Sequence, residues 1–405
     1  MVIDQSLAVT SGVRTEAELL ATIDGFAEAF TKTAPLHDRE GSFPTESFEV
    51  LRRHGLLALT AAPADGGEGL WNGERFTTFY RVLEHLARFD ANTSQLLQVH
   101  SHALGMLCLS ATEAQMEKHV RPIITGGQVL ASVGSESKPA TTSDGLYSQE
   151  LQPHPDGGWL LTCEKHFASV AAGADHLIIW LAVPGDEPYE LRTVSVLVPV
   201  AAPEVTLVDE WDVMGMRATV SWGVKVDGLR IADDAVFGRP GHWVTTDKRT
   251  FTLGFAANHV GHAEGILDFC AAWLRARPHL QASDLMMYRV GDLSSKIQAA
   301  QSAVYRAGAL WDTGNDTDAA EFAGVQALHV AKQTLLETAQ QAFDICGARA
   351  IFRSLPLEQA YRDARVFTLH TRDEHLTASL GRGLVTGQYS GKGYIDGATV
   401  TRTES

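Results

Sequence analysis

Apolar residues recur every three or four positions through the first 128 residues, a period that belongs to helices. Between Glu16 and Lys32, Leu19, Leu20, Ile23, Phe26, Ala27 and Phe30 line one face, so one helix is expected there. Ser47–His54 predicts a second, stopped by Gly55. A turn-rich stretch, Ala62–Asn72, carries Asp65-Gly66-Gly67-Glu68-Gly69. Helical spacing then returns over Phe76–Ala87, Thr93–Leu109 and Thr112–Thr125, and Gly126-Gly127 ends the segment. From Val129 the texture changes. Trp159–Thr162, His176–Val183 and Thr193–Val200 are rich in β-formers, and Trp222, Val224 and Val226 alternate along Val220–Val226. Turn clusters between them predict an antiparallel sheet lobe or small β-barrel. Helical spacing resumes from Arg249, over Leu253–Leu274, Leu285–Leu310, Ala319–Cys346 and Leu357–Leu369. The expected organisation is α+β: an N-terminal helical domain (1–128), a β domain (129–240), a C-terminal helical bundle (241–386) and a loose Gly- and Thr-containing tail (387–405).

Composition narrows the function classes. The 405 residues are 45% apolar and include 8 Trp and 16 Phe, enough for a packed interior. Lys and Arg number 33 against 49 Asp and Glu, a net charge of −16 with no basic block, which argues against a nucleic-acid partner. Apolar runs such as His176–Val183 fall short of the roughly 20 residues that cross a bilayer, so no membrane role is expected. Met1–Arg14 lacks a basic start followed by an apolar core, so no secretory signal is read. Cys108, Cys163, Cys270 and Cys346 lie far apart without a Cys-x-x-Cys, as expected of a reduced, cytoplasmic protein without a disulfide scaffold or zinc ribbon.

The best-known loop signatures are missing. There is no Gly-x-Gly-x-x-Gly after a strand, no Gly-x-x-x-x-Gly-Lys-Ser/Thr and no Gly-x-Ser-x-Gly, which removes the main support for Rossmann, P-loop and α/β-hydrolase readings. Ser132-Val133-Gly134-Ser135-Glu136-Ser137 is a hydroxyl-rich turn, suited to a solvated loop or to the polar edge of a ligand ring. Histidines are the side chains tuned near neutrality. His100 and His102, two apart on a helix, face different directions. His259 and His262 share a face but have no further ligands in view, so no metal site is expected. His370 follows Phe367 and Leu369 at the end of an apolar helix. Glu358, Arg362, Asp363 and Arg365 read as ion pairing on a helix surface. Arg275 and Arg277 precede Pro278, suited to dipole compensation or to a neighbouring phosphate.

Several phrases, taken in order, extend this reading: Gly55-Leu56-Leu57 with Pro63-Ala64-Asp65-Gly66-Gly67; Glu136; Gly158-Trp159 leading to Lys165-His166-Phe167-Ala168-Ser169; Met214-Gly215-Met216-Arg217-Ala218-Thr219; Gly261 to Asp268; and Gly347 before Tyr361-Arg362-Asp363-Ala364-Arg365. In this order the chain resembles the acyl-CoA dehydrogenase superfamily. The resemblance implies a flavin between the β lobe and the C-terminal helices. It puts Ser132, Ser135 and Glu136 near the pyrimidine edge, and Phe167, Ala168 and Ser169 beside the dimethylbenzene and N5 region. Arg277 would reach cofactor phosphates across a subunit interface, Gly347 would let the cofactor approach, and the assembly would be a homotetramer built as a dimer of dimers. Here Arg277-Pro278-His279-Leu280 replaces the family's Arg-x-x-Phe-Gly, which alters the adenine-side contacts.

Family dehydrogenases need a carboxylate to take the α-proton of an acyl thioester. The two positions that carry it correspond to Thr371 and Phe251, neither of which can act as a base; Glu374 is the displaced alternative. Arg362 to His370, with Lys165 to Ser169, resembles instead the flavin-dependent monooxygenase branch typified by dibenzothiophene monooxygenase. That resemblance implies reduced FMN or FAD, FMN ahead, supplied by a separate NAD(P)H:flavin reductase. With O2 as co-substrate, a C4a-(hydro)peroxyflavin would oxygenate a small sulfur, nitrogen or aromatic compound. His370, Ser169 and His100 (ahead of His102) are then the catalytic candidates. A dehydrogenase or oxidase using Glu374, and a non-catalytic scaffold, are the alternatives.

Overall fold

Capping decides where the first helix begins. Thr15 accepts from the Glu18 N–H at 3.3 Å while the Glu18 carboxylate accepts from the Thr15 N–H at 2.8 Å, starting α1 (Glu16–Asp24). The computed structural model describes residues 13–71, 73–136, 149–242, 252–314, 316–370 and 373–387. The single helix expected over Glu16–Lys32 is two. Gly25 and Phe26, whose backbone lies at φ −120, interrupt the ladder, and α2 (Ala27–Glu40) then continues through Pro35. After α3 (Thr45–Arg53) and α4 (Phe76–Ala87), Asp90 caps the Asn92 and Thr93 N–H groups and opens α5 (Ala91–Ser110). α5 is buried from Ala91 to Leu107, polar side chains included. The helix expected over Thr112–Thr125 contains a wide turn at Met116–Val120, where Pro122 offers no N–H to continue the regular ladder.

The central lobe holds β1 (Leu130–Val133), β2 (Gln152–Pro153), β3 (Trp159–Ala168), β4 (His176–Ala182), β5 (Thr193–Pro199), β6 (Val205–Val208), β7 (Trp222–Ile231) and β8 (Val236–Phe237). They form two four-stranded sheets, ordered β1-β4-β5-β8 and β2-β3-β7-β6. The expected barrel is therefore corrected to two open sheets among the described residues. The expected all-antiparallel pairing is also corrected, because β1 runs parallel to β4 (Leu130 opposite His176). A parallel pair needs a long crossover, and β2 and β3 lie along it in the other sheet.

The C-terminal region contains α6 (Thr252–Arg275), α7 (Asp284–Thr313), α8 (Thr317–Cys346), α9 (Leu357–Phe367) and α10 (Asp373–Thr386). Helices α6, α7 and α8 pack together and α4 packs against α6 and α7. Gly261 makes that contact possible, since a Cβ there would lie 1.9 Å from the Glu84 carbonyl oxygen. Among the described residues no helix is long and apolar enough to cross a membrane.

The charge ladder of α9, expected on the surface, joins the lobes instead. Arg362 forks onto Asp38 of α2 at 2.7 and 3.0 Å and onto Glu358 at 2.8 and 3.0 Å, and donates to the Met214 carbonyl at 2.7 Å. Buried Asp363 accepts from the Met216 N–H and from Asn92 Nδ2 of α5 at 2.9 Å. Burial pushes its carboxyl up to about 7 against the Met216 N–H, which pulls it down.

Candidate active site

Strain marks where the strand ends meet. Phe167 (φ 55), Val170 (φ 76), Met216 (φ 52) and Val220 (φ 40) are the non-glycine residues with positive φ among those described. Each such conformation costs about 1–3 kcal/mol and persists only where its surroundings enforce it. All four belong to one joint. Phe167 sits within the register shift at the end of β3 and Val170 follows it, while Met216 and Val220 precede β7. The Val170 N–H donates to the Thr219 carbonyl at 3.0 Å and ties the two loops together. On the far side, a Cβ on Gly215 would lie 2.3 Å from the Arg362 carbonyl oxygen, so the second loop is pressed against α9.

The joint presents hydroxyls of fixed polarity. Thr219 Oγ1 donates to the Met216 carbonyl at 2.7 Å and lies 2.9 Å from Ser221 Oγ, which lies 2.8 Å from Ser169 Oγ. A hydroxyl has one proton, so Ser221 donates to Thr219 and Ser169 donates to Ser221. Ser169 therefore faces the site as an acceptor. Gln95 Nε2, from α5, lies 3.4 Å from both Ser169 Oγ and His370 Nε2. His370 Nδ1 donates to the Phe367 carbonyl at 3.2 Å, which leaves Nε2 bare in the neutral ring. Neighbouring protein pushes the His370 pKa below the ordinary imidazole value, with the Phe367 carbonyl pulling it up, and the residue's exposure to solvent weakens that push. Phe255 packs against the ring at 5.3 Å. Phe167 is 66% exposed and meets Trp211 edge-on at 6.0 Å. An exposed aromatic plate bordered by hydroxyl, amide and imidazole groups suits a planar ring system with an apolar face and polar edges, as a flavin has.

The residues expected near a flavin fall into two groups. Ser132, Ser135, Glu136, Phe167, Ala168 and Ser169 gather at the ends of β1 and β3, with the Ser135 carbonyl accepting from the His166 N–H at 2.8 Å. Ser132 Oγ accepts from Trp180 Nε1 at 3.0 Å. The Glu136 carboxylate turns inward to Lys165 Nζ at 2.7 Å, in a pair only 2% and 0% exposed, so it braces β1 against β3. Arg277 and Gly347 form the second group. Phe255, beside His370, and Arg275 lie on the same unbroken helix α6, and twenty residues at 1.5 Å rise separate them by about 30 Å. Within one chain Arg277 therefore does not join the His370 cluster. It stacks its guanidinium 3.4 Å over Trp273. Gly347 lies at φ 74, and a Cβ there would meet nothing within 4 Å.

His100 is not brought to this cluster either, which corrects its expected role opposite the flavin. Its Nε2 donates to the Leu57 carbonyl at 2.7 Å and its Nδ1 accepts from the Leu130 N–H at 3.0 Å. Burial pushes its pKa down to about 4. His102 is fully buried against Trp71 at 4.8 Å. His259 and His262 are likewise buried, pushed down to about 3 and about 4, and the described residues contain no group of three or more metal-ligating side chains. Thr371 and Phe251 lie outside the described residues, as does the Glu374 side chain. Sequence reasoning missed Gln95 and Ser221, and gave Thr219 only as the end of a family phrase. For Gln95 a signal existed: Asn92, Gln95 and Gln98 recur at three-residue spacing along a helix that is buried from Ala91 to Leu107.

Family models match the chain at both ends of this architecture. The acyl-CoA dehydrogenase N-terminal domain matches residues 14–127 and the acyl-CoA dehydrogenase C-terminal domain matches residues 253–373. The chain belongs to the acyl-CoA dehydrogenase family. Dibenzothiophene monooxygenase of Rhodococcus erythropolis is 27% identical over 404 residues, covering 93% of this chain and 95% of that protein. Short-chain specific acyl-CoA dehydrogenase of Bos taurus mitochondria is 23% identical over 342 residues, covering 82% and 80%. Among solved structures, FMN-bound TdsC of Paenibacillus sp. A11-2 superimposes with a TM-score of 0.84 at 21% identity, covering 93% of this chain and 99% of that one.

Proposed function

We propose that this chain is a two-component flavin-dependent monooxygenase. It takes reduced flavin, FMN in preference to FAD, from a separate NAD(P)H:flavin reductase. One atom of O2 enters a small sulfur, nitrogen or aromatic substrate, the other leaves as water, and the flavin is oxidised. The observation that carries this reading is the cluster of His370, Gln95, Ser169, Ser221 and Thr219, whose hydrogen bonds, among the described residues, involve no carboxylate. Proton abstraction from carbon needs such a base, whereas oxygen activation needs donors and one proton carrier. The relatives named dibenzothiophene monooxygenase support the same reading.

Bound reduced flavin supplies the electrons and the place where dioxygen is activated. Ser132, Ser135, Phe167, Ala168 and Ser169 hold its ring system, with Glu136 keeping their loop in place through Lys165. Gln95 presents amide N–H groups beside Ser169 and His370, and stabilises negative charge developing on oxygen. His370, bare at Nε2 in the neutral ring, takes up and passes on a proton there. Trp211 and Phe255 exclude water. The chain acts as a homotetramer in the cytoplasm, and a second copy contributes Arg277 and Gly347 to the cofactor. Exposed apolar side chains in the C-terminal region, Leu285 and Tyr288 on α7 and Ile351 and Phe352 between α8 and α9, support an assembly, and four free cysteines support a reduced compartment.

The test is isotopic. Purified protein, FMN, a flavin reductase with NAD(P)H, and a panel of thiophenes, sulfinates and indoles are incubated under 18O2. One 18O atom in the product is expected. Anaerobic bleaching of bound flavin by an acyl-CoA, with no labelled product from any panel member, would overturn the reading.

A further inference from the structure

Two of the four cysteines are neighbours in space although they lie 76 positions apart in sequence. Cys270 is on α6, and Cys346 is the last residue of α8. Their sulfurs stand 3.8 Å apart, whereas a disulfide holds them at about 2.05 Å, so a closure of roughly 1.8 Å joins them. The structure around Cys346 allows that movement. Gly347 follows it at φ 74, in open space on its Cβ side. Cys346 is 6% exposed and Cys270 0%, so an oxidant meets Cys346 first. The Cys270 thiol and the Arg277 charge lower the Cys346 pKa against the effect of burial, while the Cys270 thiol is raised. Half-buried Cys108 and buried Cys163 are pushed up to about 12 and about 11, away from the reactive thiolate.

We propose that Cys270 and Cys346 are a peroxide-oxidised dithiol. Hydrogen peroxide converts them to a disulfide that ties α6 to the end of α8. The Cys346 thiolate attacks one peroxide oxygen, the O–O bond breaks, and hydroxide leaves as water after taking the thiol proton. Cys270 sulfur then displaces the oxygen of the resulting sulfenic acid as a second water. Two thiols and one H2O2 give one disulfide and two waters, and the two electrons go from sulfur to peroxide. The supply of oxidant rests on the proposed monooxygenase reading, since reduced flavin that meets O2 without oxygenating a substrate yields hydrogen peroxide. The chemistry of the pair does not depend on that reading.

The experiment exposes the folded full-length protein to roughly tenfold excess hydrogen peroxide, blocks the remaining thiols, and measures intact mass and proteolytic peptides. The expected result is loss of two hydrogens, a linked Cys270–Cys346 peptide, and reversal by dithiothreitol. Cys270→Ser should trap Cys346 as a dimedone-reactive sulfenic acid. Wild-type thiols that stay unreacted, oxygen addition at Cys346 without a linked peptide, or linkage of any other pair would overturn the proposal. The wild-type arm decides even if the variant does not fold. Replacing added peroxide with reduced FMN and air, with and without catalase, tests the supply. If this arm fails while the first succeeds, reduced flavin is not the source of the oxidant and the dithiol stands; the monooxygenase reading is judged by the labelled-oxygen experiment.

Discussion

Helix α5 carries two polar stations that do opposite things. At His100 both ring nitrogens are satisfied by backbone, one by the Leu57 carbonyl and one by the Leu130 N–H, so the imidazole pins the N-terminal lobe to β1. At Gln95 the amide contacts two side chains, Ser169 and His370, at a relaxed 3.4 Å each. Five positions at about 100° per residue turn the two stations about 140° apart on the helix. The difference teaches what makes a buried polar group available for chemistry. Short bonds to backbone fix a side chain in one state. Long bonds to other side chains leave it free to re-pair with a ligand.

Breaking each station should therefore fail in a different assay. The largest expected effect is His100→Ala, which leaves the Leu57 carbonyl and Leu130 N–H buried without partners and opens a cavity. About 3 kcal/mol of stability should go, read from denaturant unfolding, with product per reduced flavin unchanged in the protein that remains folded. His370→Ala should do the reverse. Its melting temperature should stay close to wild type, while product per reduced flavin falls about tenfold or more and hydrogen peroxide release rises. A coupled His370→Ala enzyme would remove that residue from the mechanism.

Two smaller effects sharpen the comparison. Gln95→Leu should keep flavin binding but lower coupling several-fold, as expected when one amide donor is lost. Wild-type coupling in this variant would mean that the amide only fills space. The pH profile tests the proton carrier. His370 is held below the ordinary imidazole pKa, so its cationic form grows only as the pH falls toward that lowered value. Coupling that depends on a proton from Nε2 should rise on acidification below neutrality, and His370→Asn should flatten the rise.

The smallest effect concerns a buried carboxyl outside both stations. Glu84 is pushed up to about 7 by burial and by Glu264, against hydrogen bonds from Gln301 and Tyr305. Its ordinary value is 4.5, so as pH rises from about 4.5 to about 7 the unfolded chain gives up this proton first. Stability that is complete below the lower value is lost across that window and does not change further above it. Glu84→Gln, measured as melting temperature against pH, should flatten this part of the curve.

Much of the architecture was legible before any coordinates. The long helices were found within a few residues, Phe76–Ala87 with both ends correct, because a one-faced apolar period is a local property of the chain. The break at Gly25 was missed, since a short helix restarting in phase keeps the same period. The site divides in the same way. Ser169 and His370 stand in local phrases, but their meeting at the Gln95 amide, inside a buried helix, is not local. His100 was readable as a titratable group, and the backbone partners of both its ring nitrogens were not.

Residue order alone settled the helix–sheet–helix succession, the acidic surface and the absence of nucleotide-binding glycine loops, because each follows from local periodicity or from counting side chains. Only folding in three dimensions decided which imidazole is locked to backbone, that Arg362 and Asp363 join lobes instead of facing water, and that two distant thiols touch. Those outcomes depend on what arrives from elsewhere in the chain to meet a given side chain, and hydrogen bonding and desolvation act over a few ångströms of space whatever the separation in sequence.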